Sequence, residues 1–373
     1  MKILLVTNDL ACTDGWSRYT ADLIIALEKA GHEVQALVSS TVSDNKIKQY
    51  SVLERPLSYI SGISVCRQGA RKLTEIVETF SPDVIHFIVE PYVNMLAFAS
   101  QFASKPRIIM TGHGTYAYPP NTENGLRRII AKILFNKAAK RTDAVVCVSE
   151  FTKHHLISTS GTIFANKKVL VVTNGTSMRA VNIQKNNSIF TVLFVGAVKE
   201  RKGVLESLRG IAAFKKEFQR PFVYRIVGAF DKDDEYVKTI ESYIKTEGLE
   251  NEVIFYGKVD DAALRANYEA ADLYLMTPVT SGVAFEGFGL VYLEANAYGI
   301  PCIGSTNSGA SEAIIDGKTG YKVDANDPSE IAAAMIKVAN GAISADDCRT
   351  WTEQNSIENK AEEIGAIYSM KAS

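Results

Sequence analysis

Nowhere does the chain reach the roughly 18–20 uncharged apolar residues that a helical membrane span needs. The amino terminus MKILLVTNDL meets Asp9 before a signal-type apolar segment has formed, so the expected location is the cytoplasm. The five cysteines (Cys12, Cys66, Cys147, Cys302 and Cys348) are odd in number and contain no CxxC pair. That argues against a disulfide framework and for reduced thiols in apolar surroundings. No strand-like run is followed by GxGxxG, which counts against a dinucleotide-dependent dehydrogenase. Gly317-Lys318-Thr319 is not a phosphate loop, because the place that loop reserves for its first glycine holds Glu312. No Asp-x-Asp sequence sits in a loop suited to a diphosphate-bound metal, and the pairs Asp233-Asp234, Asp260-Asp261 and Asp346-Asp347 read as surface acids. No metal or cofactor is therefore expected. Basic segments without interleaved aromatics or a known motif exclude nucleic acid as the natural partner.

What is present is apolar substance for two cores. The 373 residues are 46% hydrophobic, enough for two domains of ordinary size. Net charge is only −1 but unevenly spread: residues 1–180 hold 21 Lys and Arg against 14 Asp and Glu, and the remainder 20 against 28. The basic excess peaks at 124–141, with six cations and no acid in a helical pattern. Such a segment is either a solvated face or a peripheral contact with anionic lipid at the inner face of the membrane.

Short β-branched apolar runs alternate with helical patterns. In the first half the runs fall at 3–7, 33–38, 83–87, 107–111, 144–148 and 169–173, with helices such as 17–30 and 92–103 between them. Continuous rather than alternating hydrophobicity indicates parallel strands covered on both faces. Residues 176–188 turn polar and aperiodic and read as a linker. The alternation then restarts, with runs at 190–195, 222–227, 253–256, 273–276, 302–303 and 320–323 and helices at 204–217, 234–247 and 260–270. This gives an α/β chain of two Rossmann-like domains, 1–180 and 181–351, with a terminal helix near 352–373 that either stays on the second domain or packs back on the first. Two such sheets facing each other bring strand ends and helix N-termini to a shared cleft, the usual ligand position of open α/β sheets.

The chemistry concentrates in SGVAFEGFGLVYLEANAYGIP at 281–301. Glu286 precedes a helix start loosened by Gly287 and Gly289, and Glu294 follows eight positions later inside the helix. Free amides from Phe288 through Gly289 and Leu290 make a seat for a diphosphate. Glu294 lies roughly 6–8 Å further along at about 1.5 Å per residue, a diphosphate-to-ribose distance. Taken alone, these are also ordinary surface carboxylates. Three further elements follow strands: Gly15 in DGWSR, His113 in TGHGTY, and Arg201-Lys202 in GAVKERKG. Gly15 permits close backbone approach, His113 between glycines is expected to be exposed, and two adjacent cations suit a phosphate.

Together these pieces resemble the retaining GT-B glycosyltransferases of family 4 (glycosyl transferases group 1), whose signature is Glu-x7-Glu, matched by Glu286 and Glu294. The resemblance spans essentially the whole chain. It implies a GT-B fold and transfer of a hexose-type sugar from a UDP- or GDP-linked donor to a glycan or lipid-linked acceptor, with retention and without metal. Carried over, it implies that Arg201 and Lys202 neutralise the diphosphate, Glu286 binds the transferred sugar and Glu294 the ribose. Amides of Phe288, Gly289 and Leu290 would line phosphate and sugar, Gly15 would approach the diphosphate, and His113 would lie near the attacking oxygen. The base would rest beside Lys258 and Val259. One departure stands out: many members carry arginine where this chain has Ala197, which leaves Arg201 to supply that charge. The acceptor is expected on the first domain, where Trp16, Tyr116 and Tyr118 either stack on sugar or belong to the core. A non-catalytic nucleotide-sugar-binding protein and, less naturally, a glycoside hydrolase are the alternatives.

Overall fold

A computed structural model describes residues 1–12, 14–43, 46–183 and 188–370. The chain divides into two units, one of Met1–Ser177 with Ile357–Ser373 and the other of Met178–Ser356. Residues 184–187 of the expected linker lie outside the described residues.

The first unit is built on seven strands, β1 (Lys2–Val6), β2 (Glu33–Val38), β3 (Lys48–Ser51), β4 (Val84–Phe87), β5 (Arg107–Gly112), β6 (Ala144–Cys147) and β7 (Lys168–Val171). They are ordered β3-β2-β1-β4-β5-β6-β7, and all pairings are parallel. Side chains of β4 and β6 are buried throughout, as continuous apolar runs require when both sheet faces are covered. The covering helices include α1 (Gly15–Lys29), α2 (Ser58–Ser61), α3 (Ile63–Phe80), α4 (Gly125–Ala139) and α5 (Glu150–Ser160). Asp14 caps α1 in a reciprocal capping box with Ser17, satisfying amides that the helix itself cannot.

The second unit holds β8 (Phe190–Val195), β9 (Phe222–Val227), β10 (Val253–Gly257), β11 (Leu273–Leu275), β12 (Cys302–Ser305) and β13 (Gly320–Val323). Their order is β10-β9-β8-β11-β12-β13, again wholly parallel. Its helices are α6 (Val204–Glu217), α7 (Glu235–Thr246), α8 (Asp261–Ala270), α9 (Leu290–Ala297), α10 (Pro328–Ala339) and α11 (Ala345–Gln354). The last helix, α12 (Ile357–Ser369), belongs to the first unit. There Ile357, Ile364 and Tyr368 join the core cluster of Ile3, Leu5 and Ile109.

Two elements differ from expectation. The stretch expected as a helix over 92–103 is a 3₁₀ segment, Glu90–Ala97, with every residue buried and Pro91 in its first turn. The Asn94 side-chain amide donates to the carbonyls of Tyr59 and Ile60, so tertiary ties on all sides hold the tighter turn and end it early. Strand β3 was not expected, because its sequence KQYS carries no apolar run and it pairs only with β2, at the sheet edge.

Candidate functional site

Strand order reverses between β1 and β4 in the first sheet and between β8 and β11 in the second. Ligands of open parallel sheets bind beyond the carboxyl ends of strands at such reversals. In the second unit, Arg201 and Lys202 follow β8 and Glu286 follows β11, so the topology gathers residues 85 positions apart in the chain. Gly203 makes the approach possible. Its φ is +66°, and a Cβ there would sit 1.7 Å from the Thr277 carbonyl oxygen. The Val279 amide donates to the Arg201 carbonyl at 3.1 Å, and the Ser281 hydroxyl to Glu200 at 2.9 Å, which stitches the two loops together.

At their junction one carboxylate serves two cations. Glu286 Oε2 lies 2.6 Å from Lys202 Nζ and 2.5 Å from Arg201 Nη1. Burial by itself would raise the Glu286 carboxyl, but Lys202 and Arg201 outweigh it and hold the group below its ordinary range. Burial draws the Lys202 ammonium downward against the pull of Glu286. Two positive groups on one carboxylate leave a surplus of positive charge in a largely dehydrated site, the condition for holding an anion. Glu286 is thus a buried, doubly paired carboxylate and not an ordinary surface one.

Four residues beyond Glu286, helix α9 starts at Leu290 with Gly289 as N-cap, at φ +80° and with no side-chain oxygen closing the first turn. The open amides of that turn add partial positive charge. Phe288 and Gly289 are buried and Leu290 half-buried. Within α9, Glu294 is 6% exposed and accepts from the Tyr268 hydroxyl at 2.8 Å, and the Tyr268 ring stacks on Tyr298 at 5.2 Å. Lys258 is exposed and Val259 half-buried after the edge strand β10. No hydrogen bond or ion pair joins them to the other candidate groups among the described residues. A cavity of roughly 320 Å³ in this unit lies at the opposite strand ends, against Phe190, Asp272 and Pro301, away from the ion triad.

In the first unit, Gly15 is the first residue of α1, and nothing lies within 4 Å of where a Cβ would stand. His113 follows β5 but is not the exposed group expected. Its ring packs edge-on against Tyr19 at 5.2 Å, Nε2 is buried without a partner, and burial lowers the imidazole to about 4. Its backbone amide donates to Glu90 Oε1 at 2.5 Å. Glu90, not singled out in the sequence, is fully buried, and burial pushes its carboxyl up to about 8. The signal was available: Glu90 directly follows the run 84–89, apolar but for His86, and an acid there has few polar neighbours in the sequence. Trp16 and Tyr116, with ring centroids 5.6 Å apart, line a cavity of roughly 420 Å³ with Asn8, Asp9, Ser39 and Arg55. Tyr118, grouped with them in the sequence, is 4% exposed and packs on Phe135 in the core. Among the described residues no group of three or more His, Cys, Asp or Glu could hold a metal ion, and no helix is long and apolar enough to cross a membrane.

Residues 177–355 match the family described as Glycosyl transferases group 1, and residues 13–179 match Glycosyltransferase Family 4. The chain is 27% identical to N-acetyl-alpha-D-glucosaminyl L-malate synthase of Bacillus anthracis over 84% of its own length and 81% of the relative's. It is 35% identical to a GDP-mannose-dependent phosphatidylinositol monomannoside mannosyltransferase of Mycolicibacterium smegmatis, over only 27% of each chain. Among solved structures, Anabaena HepE in complex with UDP superposes with a TM-score of 0.76 at 18% identity, covering 99% of this chain and 100% of that one. Sucrose-phosphate synthase of Thermosynechococcus elongatus superposes with a TM-score of 0.75 at 18% identity, over 99% and 98% of the two chains.

Proposed function

We propose that this chain, which belongs to the family 4 glycosyltransferases and has GT-B enzymes as its structural neighbours, moves a hexose-type sugar from a UDP- or GDP-linked donor. The acceptor is a glycan or lipid-linked saccharide, and the sugar keeps its anomeric configuration. The observation that carries the reading is the sharing of one Glu286 oxygen between Arg201 and Lys202. Glu286 is a single negative charge against two positive ones. A donor diphosphate competes for the same two cations, and the carboxylate it displaces becomes free to accept from sugar hydroxyls.

The chemistry then follows from charge. As the sugar–oxygen bond breaks, negative charge grows on the leaving diphosphate, and Arg201, Lys202 and the open amides at Phe288, Gly289 and Leu290 meet it without reorganising. No metal is required in this scheme. Glu294, fixed by Tyr268, accepts from ribose hydroxyls, while the base lies along Lys258 and Val259. Within the amino-terminal unit, Gly15 leaves its backbone unobstructed at the start of α1 and His113 is held as a neutral imidazole, the two groups this unit presents to ligand. The Trp16–Tyr116 cavity suits a saccharide acceptor, since aromatic faces carry the ring and Asn8, Asp9 and Arg55 its polar groups. The basic segment 124–141 brings the chain to anionic lipid.

The decisive measurement combines ligand-induced thermal stabilisation by UDP, GDP and their sugar conjugates with turnover in the presence of a chelator. Anomeric proton couplings in the product report retention. Absence of stabilisation by every nucleoside diphosphate, or an inverted product, defeats the proposal.

A further inference from the structure

Helix α4 carries its apolar residues on two sides. One side, Ala131, Leu134, Phe135, Ala138 and Ala139, is buried, with Phe135 set against Tyr118 and Phe164 at 5.2 and 6.1 Å. On the other side Leu126, Ile133 and Ile129 are 71%, 62% and 56% exposed. These are the three most exposed large hydrophobic side chains among the described residues. At about 100° per residue they fall within an arc of roughly 60°, on the side opposite the buried one. A scattered surface leucine needs no explanation, but a stripe of three on one helix does.

The charges around the stripe identify what covers it. Arg127 is matched by Glu123 at 3.0 Å, and Arg141 is spent on the carbonyls of Leu96 and Ser100. Arg128 donates to Asn121 at 3.1 Å, while Lys132, Lys137 and Lys140 remain exposed around the stripe, and the helix contains no acidic residue. Long cationic side chains bordering a bare aliphatic ridge match a surface that is anionic at its rim and hydrocarbon beneath. A protein partner of matching shape would need an acidic collar around an apolar groove, whereas an anionic bilayer supplies both layers at once.

We infer that α4 is an in-plane membrane anchor whose Leu126, Ile129 and Ile133 enter the acyl boundary of an anionic bilayer while Lys132, Lys137 and Lys140 engage its headgroups. This extends the membrane reading given above, from attraction to shallow insertion. It has a specific signature: an electrostatic contact vanishes in salt, but inserted aliphatic side chains keep part of the binding. The helix starts twelve residues after His113. An anchor there confines the amino-terminal unit to the layer in which a lipid-linked acceptor diffuses.

The test uses the purified full chain with vesicles of phosphatidylcholine alone and of phosphatidylcholine mixed with phosphatidylglycerol. Co-sedimentation with the anionic vesicles is expected, weakened but not abolished at about 0.5 M salt. The combined Leu126→Ser, Ile129→Ser and Ile133→Ser variant is expected to lower the partition coefficient at least about tenfold at low and high salt alike, whereas Lys137→Gln with Lys140→Gln acts at low salt only. In an Ile133→Trp variant the added emission shifts to the blue on anionic vesicles and is quenched by acyl-chain-brominated lipid. Wild-type failure to sediment, or unchanged sedimentation of the serine variant, overturns the inference. So does a wild-type dimer in sedimentation velocity that the serine variant turns into monomer, because a second copy would then cover the stripe. Nucleoside-diphosphate stabilisation, measured on the same samples, reports the donor site separately. If it persists without vesicle binding, only the anchor is lost.

Discussion

The backbone amide of His113 donates to the carboxyl of Glu90 at 2.5 Å, while the second Glu90 oxygen and His113 Nε2 are both buried and without partners. Two loops beyond neighbouring strands of the first sheet are thereby locked by a group that burial keeps protonated up to about pH 8. An unsatisfied buried polar atom is costly, and two of them a few residues from a strand reversal suit a site that ligand completes.

The Glu90 carboxyl carries a stability dependence of definite sign. Its ordinary value is 4.5 and its folded value about 8, so between these the folded chain holds a proton that the unfolded chain has released, and stability falls as pH rises. Glu90→Gln is expected to flatten the decline of Tm between pH 6.5 and 8.5, roughly the upper part of that window. An unchanged slope in the variant would remove Glu90 from this role.

Acid acts through histidine in the opposite sense. His86 is fully buried, its Nδ1 2.7 Å from the Tyr368 hydroxyl and its Nε2 2.6 Å from Thr111, and burial lowers it from 6.5 to about 3. His113 is lowered from 6.5 to about 4. Both stay neutral when folded, so their contribution is complete above pH 6.5 and is lost as pH falls toward the folded values. Thermal midpoints should therefore peak near pH 6.5, where the two opposing slopes meet. Tyr368→Phe, which strands His86 Nδ1, is expected to cost about 1–3 kcal/mol in denaturant unfolding.

The cation pair predicts a kinetic loss. Lys202→Met keeps the aliphatic stem and removes one of the two charges proposed for the diphosphate, for which kcat is expected to fall about 10²–10³-fold while circular dichroism stays native. Glu286→Gln should bind nucleoside diphosphate at least as well as wild type, because the competing internal anion is gone, and yet turn over poorly. Near-normal turnover by either purified variant contradicts the assignment.

Gly203→Ala tests the stitching of the two loops. With φ at +66° and the Thr277 oxygen in the way of any Cβ, the substitution must part the loops. Stability should drop by more than about 1 kcal/mol, and stabilisation by nucleoside diphosphate should disappear with it. A denaturant midpoint within error of wild type would show that the contact is dispensable.

The aromatic residues separate by burial. Tyr116→Ala, on the cavity lip, is expected to raise KM for the acceptor with little change in Tm. Tyr118→Ala, in the core against Phe135, is expected to cost about 3–5 kcal/mol. Matching thermal losses in the two variants would place both residues in the core.

Much of the architecture was readable in the chain because parallel strands buried on both faces announce themselves as unbroken β-branched runs. Strands β2, β8, β9 and β13 fall on the residues expected, and α6 does as well. What escaped has a common cause. Strand β3 has no apolar run of its own, and the 3₁₀ turn at Glu90–Ala97 is imposed by neighbours distant in sequence, Tyr59 among them. Glu286, Arg201 and Lys202 were each legible as loop residues beyond a strand. Their meeting was not, since it depends on β8 and β11 being adjacent, and periodicity does not give strand order. His113 was expected in the open for its flanking glycines, but Tyr19, on another element, decides its surroundings.

Helix α12 closes the core of a unit whose other elements end at Ser177. On the ribosome, the first unit stays unfinished while all of Met178–Ser356 is synthesised, and the later unit, continuous in sequence, is complete before the earlier one can be sealed. Biogenesis therefore runs against chain order, and a nascent chain stalled anywhere before α12 displays the bare Ile3, Leu5 and Ile109 face to chaperones.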